Sequence, residues 1–255
     1  LREPVKGIIG RKISMTQVFR DDGQVVPVTV IQAGPCPIVQ RKTAGKDGYE
    51  AIQLGFQEVK ASRVNRPRRG HFQRHGAPLC RFLREFRVQD ASRFEPGQVI
   101  TVETFQVGEK VKVTAKTKGK GFTGVMRRHG FSGAPGAHGT HEYFRHGGSV
   151  GSSAFPSRVF KGMGMPGQHG NKPASIRNLE IVDVRPHENV LLIKGSVPGP
   201  NNGVVIVHGE GEFPVPTEAG TAEPEMDTEA VAGKESEVKG EAQKEEPEGE
   251  AENAK

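Results

Sequence analysis

The sequence predicts a mainly β protein, a small barrel or sandwich, on three observations. Short runs rich in Val, Ile and Thr recur along the chain, and each is bounded by Gly, Pro, Asn or Asp. No window keeps a three-to-four-residue apolar period over the roughly 11 positions that a dependable helix needs. Several short strands at this spacing close on themselves or pack face to face, because an open sheet would leave edges and one apolar side in water.

In chain order, the opening run LREPVKGIIGRK leads straight into strand-like sequence. It has neither the apolar stretch nor the small-residue cleavage site of a secretory signal, and is read as untargeted. Residues 25–31, 37–39 and 51–56 follow as strands. Gly23, after Asp21 and Asp22, and Gly48, after Asp47, are the expected turns, since glycine enters left-handed backbone without steric cost. Residues 99–105 and 111–114 continue the pattern, and 179–184, 190–193 and 204–207 complete it. Two stretches interrupt it, 60–88 and 116–178, and residues 214–255 depart from it altogether. The predicted organisation is a β domain from 1–115 and 179–213, a basic insertion at 60–88, an extension at 116–178 and an acidic tail at 214–255.

Charge separates these parts. The whole chain carries a formal +6, yet residues 214–255 hold thirteen acids against four lysines, leaving the preceding body at +15. Such a body attracts a polyanion, and nucleic acid is the commonest. An anionic membrane is the other candidate, but no apolar stretch is long enough to span a bilayer and no basic amphipathic helix is visible. Cys36 and Cys80 lie too far apart for a CxxC pair and are too few for a disulfide framework, which fits a reducing cytosol.

The insertion at 60–88 has nine Lys and Arg and one acid, Glu85. Its basic clusters are Arg66, Arg68 and Arg69, then Arg81, Arg84 and Arg87. The second triplet, spaced i, i+3, i+6, would share one face if 79–86 were a short helix. A solvated charged face is the plain alternative, although ordinary surfaces intersperse the two signs.

The extension at 116–178 holds ten Lys and Arg, one acid (Glu142), fourteen Gly and five of the nine His. Ordering a residue costs about 1–2 kcal/mol of backbone entropy, and more for glycine. Its few apolar side chains cannot offset that, so it is expected to be mobile alone and ordered by a polyanion. Run out and back, each arm would reach at most roughly 100 Å. The cationic candidates are Lys116, Lys118, Lys120, Arg127, Arg128, Arg145, Arg158, Lys161, Lys172 and Arg177, with His129, His138, His141 and His146. Phe122, Phe131, Tyr143 and Phe155 are candidates for stacking on unpaired bases, as Phe144 and Phe160 would also be. The alternative is that these rings pack into turns of the loop itself.

Catalytic readings fail on spacing. Gly119, Gly121 and Gly124 spell G-x-G-x-x-G, but Gly130, Gly133 and Pro135 follow where a dinucleotide fold needs a helix. His141 and Glu142 start a zinc-protease pattern, yet His146 is five residues from His141 and would diverge by roughly 140° on a helix. No nucleophile–base or paired-carboxylate arrangement stands out. No metal, cofactor or enzymatic activity is expected.

The run FQVGEKVKVTAKTKGKGFTGVMRRHGF from Phe105 closely resembles the signature stretch of the large-subunit ribosomal protein L-three family. Collinear blocks extend the likeness over nearly the whole body: GRKISMTQVFRDDG from Gly10, DGYEAIQLGF from Asp47, HGGSVG from His146, RVFKG from Arg158 and LLIKGSVPGP from Leu191. The likeness is to the bacterial form. It implies a six-stranded translation-protein, SH3-like β-barrel with a long extension that enters 23S ribosomal RNA toward the peptidyl transferase centre. It also implies primary binding near the 3′ end of that RNA, an early role in subunit assembly, and ribosomal proteins L-fourteen and L-nineteen as neighbours. Catalysis there belongs to the RNA.

Three departures qualify the likeness. Lys112 stands where the family usually has an acid or amide, and His129 where many members have Trp. No glutamine lies between Arg145 and Gln168, where some relatives carry a methylated one. The acidic tail has no counterpart, and its Glu, Ala, Gly and Pro content reads as disorder. It is either a solvating tail or a screen over the basic extension before RNA arrives; deleting 218–255 would then raise nonspecific RNA binding at low salt.

Overall fold

The computed structural model describes residues 5–20 and 22–213. The acidic tail at 214–255 and everything expected of it lie outside the described residues. In chain order the elements are β1 (Val5–Phe19), β2 (Val25–Ala33), β3 (Cys36–Lys42), α1 (Ala44–Asp47), β4 (Ala51–Glu58), α2 (Arg66–Arg74), β5 (Cys80–Arg87) and β6 (Val99–Ile100). Then follow β7 (Lys110–Lys116), β8 (Phe122–Thr123), α3 (Val125–His129), β9 (Gly167–Gln168), β10 (Pro173–Arg185), β11 (Val190–Lys194) and β12 (Val204–Glu210).

Six strands close into a barrel in the order β1-β12-β7-β10-β11-β2, each antiparallel to its neighbours. The expected six-stranded barrel is therefore present. Alternation explains the closure: in β7, Val111, Val113 and Ala115 turn inward while Lys110, Lys112 and Thr114 turn outward. Ile8, Ile31, Ile181, Leu191, Ile193 and Val207 fill the same interior, and none exposes surface. Lys12 continues the inward row of β1 at one barrel mouth, where its ammonium donates to the Val197 carbonyl at 2.8 Å. Burial, then the charge of Lys118, holds its pKa below the ordinary lysine value.

Residues 36–100 supply a second sheet, in the order β5-β4-β3-β6. Ile38, Ile52, Leu54, Phe56 and Phe86 from this sheet share one continuous core with the barrel. Gly7 marks the seam: a Cβ on it would run into the Phe86 ring, so only glycine lets the second sheet lie this close. On the sheet's other side Phe72 of α2 is buried against Val39 and Cys80. Both cysteines are buried and free, and burial pushes the Cys36 thiol up to about 12 and that of Cys80 to about 11.

Several expectations need correction. Residues 79–86 do not form a helix but most of edge strand β5, paired to β4 from Ala51↔Arg87 to Glu58↔Cys80. Its apolar residues, Phe82, Leu83 and Phe86, serve both sides of a sheet that lies between barrel and α2. Consequently Arg81 and Arg87 point to one side and Arg84 to the other, so the triplet shares no face. The run 99–105 is a strand only at Val99–Ile100; Val102–Thr104 turns as a 3-10 helix, with Val102 fully buried. Gly23 does turn β1 into β2, with φ 77° and its amide on the Arg20 carbonyl at 2.9 Å. Gly48, at φ 80°, ends the short α1 between β3 and β4.

Candidate nucleic-acid interface

The extension grows out of the barrel wall without a break in hydrogen bonding. β7 and β10 pair up to Lys116↔Pro173. The ladder then continues through the Thr117 amide to the Lys172 carbonyl and the Lys120 amide to the His169 carbonyl, both at 2.9 Å. It ends in the two-stranded β8–β9 pair, Phe122↔Gln168 and Thr123↔Gly167. Gly170, at φ 72°, sits against the Lys118 carbonyl so closely that any side chain would collide. The glycines here permit two backbones to touch, as well as turn.

This neck displays cations without acids. Lys118, Lys120, Arg128, His129, His169 and Lys172 line a concavity of about 520 Å³. The His169 imidazole is held below its ordinary range, by desolvation first and then by the charges of Lys120, Arg127 and Arg128. The part of this depression that comes from Lys120, Arg127 and Arg128 reports positive charge that an anion would meet there.

Beyond the neck, α3 opens at Gly124 and stops at Gly130, φ 77°. A helix does therefore start at the third glycine of G-x-G-x-x-G, contrary to the sequence argument. It is only five residues long, and β8 belongs to a two-stranded antiparallel pair, so the parallel-sheet setting of a dinucleotide site is missing. The Arg128 guanidinium donates to the Met165 carbonyl at 2.5 Å, and His129 lies 3.1 Å from the same oxygen. Arg128 thus ties the outgoing strand to the returning one, while Arg127 is exposed and makes no hydrogen bond or ion pair among the described residues.

The aromatic candidates divide. Phe122, Tyr143 and Phe155 are 77%, 70% and 87% exposed, whereas Phe131 is half-buried against Gly164 and tilts over His129. The Arg158 guanidinium lies 5.5 Å from the centre of the Phe160 ring. Lys116, Arg145, Lys161, His138, His141 and His146 are exposed. Among the described residues no three His, Cys, Asp or Glu side chains converge as a metal would require.

The arginines of 60–88 serve partly to fold the chain. Arg68 donates to the Cys80 and Arg81 carbonyls, and Arg69 to those of Ala61 and Val64. These bonds hold cations at the N-terminal turn of α2, where the helix dipole disfavours them. Arg66, Arg81 and Arg84 remain exposed. Arg177, counted with the extension, lies on the barrel wall, in an irregular step of β10 between Ile176 and Leu179. Lys110 and His208, which line a cleft beside it, were missed from sequence, because only the strand register brings them there.

Comparison with known proteins agrees with this geometry. Residues 85–188 match the family model described as Ribosomal protein L3. The chain is 53% identical over 202 residues to the large ribosomal subunit protein uL3 of Carboxydothermus hydrogenoformans, covering 79% of this chain and 96% of the relative. It is 51% identical over 203 residues to the uL3 of Thermotoga petrophila, covering 80% and 96%. Among the described residues no helix is long and apolar enough to cross a membrane. A barrel that continues into an acid-poor cationic arm, with identity of this extent, leads to one conclusion: the chain belongs to the L3 (uL3) family of large-subunit ribosomal proteins.

Proposed function

We propose that this protein is a non-enzymatic structural component of the large ribosomal subunit that binds 23S ribosomal RNA through the extension between β7 and β10. The observation that carries this is the acid-free concavity at the neck, where Lys118, Lys120, Lys172, His129 and His169 converge on a backbone ladder anchored in the barrel. Phosphate contacts from such a cluster position the protein, and exposed Phe122, Tyr143 and Phe155 offer faces to unstacked bases. Arg66, Arg81 and Arg84 on the second sheet and α2 extend the cationic surface.

In this reading, which follows the family resemblance, the protein binds near the 3′ end of the RNA, early in assembly. The distal part of the extension would support the peptidyl transferase centre, with L-fourteen and L-nineteen as neighbours. The RNA performs the chemistry, and the protein supplies position and counter-charge.

The test is the salt dependence of 23S RNA binding by the full chain. Each of Lys118→Gln, Lys120→Gln and Arg127→Ala should reduce the slope of log affinity against log salt by about 0.7–0.9, the value for one lost phosphate contact. A slope that all three variants leave unchanged would mean the neck does not touch RNA.

A further inference from the structure

Three barrel strands bring three polar, nitrogen-bearing side chains into one row on the outer wall. His208 of β12 is directly opposite Lys112 of β7. On the other flank of β7, the register of β10 jumps from Ile176, opposite Val113, to Leu179, opposite Val111. Lys112 therefore faces the extra pair Arg177 and Asn178. Val111 and Val113 turn into the core, at 2% and 0% exposure, so Lys112 between them turns out. Irregular steps of this kind re-aim side chains, and Asn178 takes the left-handed φ of 58° that the step requires.

The row forms one wall of a cleft of about 1080 Å³, and Glu85, Phe86 and Arg87 of the second sheet, with Tyr49 from the turn before β4, form the other. Two of the acids that line it are already engaged: Glu50 accepts the Ala91 amide at 3.0 Å, and Glu85 is bonded to Lys42 and Tyr49. Glu210 is the remaining one. Arg87 lies over the Tyr49 ring, and among the described residues neither it nor Lys110, Lys112 or Arg177 makes an ion pair. The cleft is thus a lined recess with uncompensated positive charge.

We propose that this cleft is a second RNA-binding site, which holds the phosphodiester backbone through Lys112, Arg177 and His208 at the opposite end of β7 from the extension. Six residue steps separate Lys110 from Lys116, roughly 20 Å along a strand. That is a short distance on the scale of a folded RNA, so one RNA can engage the neck and the cleft together. The guanidinium of Arg177 offers a fork to a phosphate, and Lys112 a point charge beside it. Only the identity of the polymer rests on the reading of the extension as RNA-bound; the cleft stands on its own geometry. Burial, then the charge of Lys112, keeps His208 below its ordinary range. The other charged groups around the cleft are Lys110, Arg177, Glu210, Glu50, Glu85 and Arg87. A phosphate arriving among them would favour the protonated imidazole.

The experiment uses the full chain and 23S RNA, with Lys112→Gln plus Arg177→Gln as the test variant and Lys118→Gln as the neck control. Both substitutions of the test variant lie on the outer wall, so its unfolding midpoint should match that of the parent. Its salt slope should fall by about 1.4–1.8, the value for two lost phosphate contacts. In the parent, the NMR-detected titration of His208 should move upward on adding RNA, and in the variant it should stay. A slope that changes with Lys118→Gln but not with the cleft variant overturns the cleft and leaves the neck standing. No change in either overturns both. Loss of poly-glutamate peptide binding in the cleft variant, with the RNA slope intact, assigns the cleft to an acidic protein and also overturns the proposal.

Discussion

The barrel and the extension are built from one chain on opposite terms. In the barrel, strands alternate and the inward residues exclude water completely, with Ile8, Ile31, Leu191 and Ile193 at 0% exposure. Across 117–172, Thr123 and Val125 are the only residues buried among those described. The barrel's conformation follows from what it hides. The extension's follows from glycine turns, the ladder at its neck and a few cross-ties such as Arg128 to Met165. On the proposed function, a region with so little buried apolar surface would gain its main contacts from RNA, and its uncompensated charge would be met there.

The largest effect should come from the barrel interior. Leu191→Ala should cost about 2–5 kcal/mol in urea unfolding, because it removes a fully enclosed side chain. Phe155→Ala, at 87% exposure, should change stability by less than about 0.5 kcal/mol. Equal losses at the two positions would erase the distinction between the regions. Next, Gly7→Ala should cost about 1–3 kcal/mol by pushing Phe86 off the barrel wall. In a Phe86→Leu background the added cost should shrink, and an unaltered cost would mean the strain lies elsewhere.

Within the extension, Val125→Ala should speed amide exchange over 124–130 and leave the unfolding midpoint of the barrel in place. A drop in that midpoint would show the two regions to be one cooperative unit. The smallest effect concerns His208. Its folded pKa is depressed, by burial first and then by Lys112. Its contribution is therefore complete above the ordinary histidine range and is lost as pH falls through the lowered folded value. Stability of the RNA-free protein should rise from pH 5 to 7 more steeply in the parent than in His208→Gln. Parallel curves would remove His208 from the pH response.

The same contrast explains what could be read from sequence. Strands such as β7 and β12 were legible because one face is buried and the other wet, so Val111, Val113, Val205 and Val207 recur at every second place. β5 was not, since Phe82, Leu83 and Phe86 pack on both sides of a sheet and imitate a helix face. The bounded strand runs begin at 25–31, and of β1 only the part after the opening run reads as strand-like, although the strand starts at Val5 and includes Gly7 and Gly10. Both in fact sit where neighbouring atoms come too close for a side chain. The cationic inventory of the extension was legible from charge alone. That Arg68 and Arg69 bond the fold's own carbonyls, and that His208, Lys112 and Arg177 meet, depends on register, which no local pattern encodes.

The strand order also bears on how the chain is made. β1 closes the barrel against β12, with Val5 partnered by Glu210, and β2 is joined to β11. During synthesis the first two strands must wait, paired only to each other, until nearly the whole described chain has emerged. The extension, by contrast, leaves the tunnel while the wall that will anchor it is still open. Nascent chains therefore present their arginines and lysines before they own a finished fold, and the interval belongs to whichever polyanion or chaperone reaches them first.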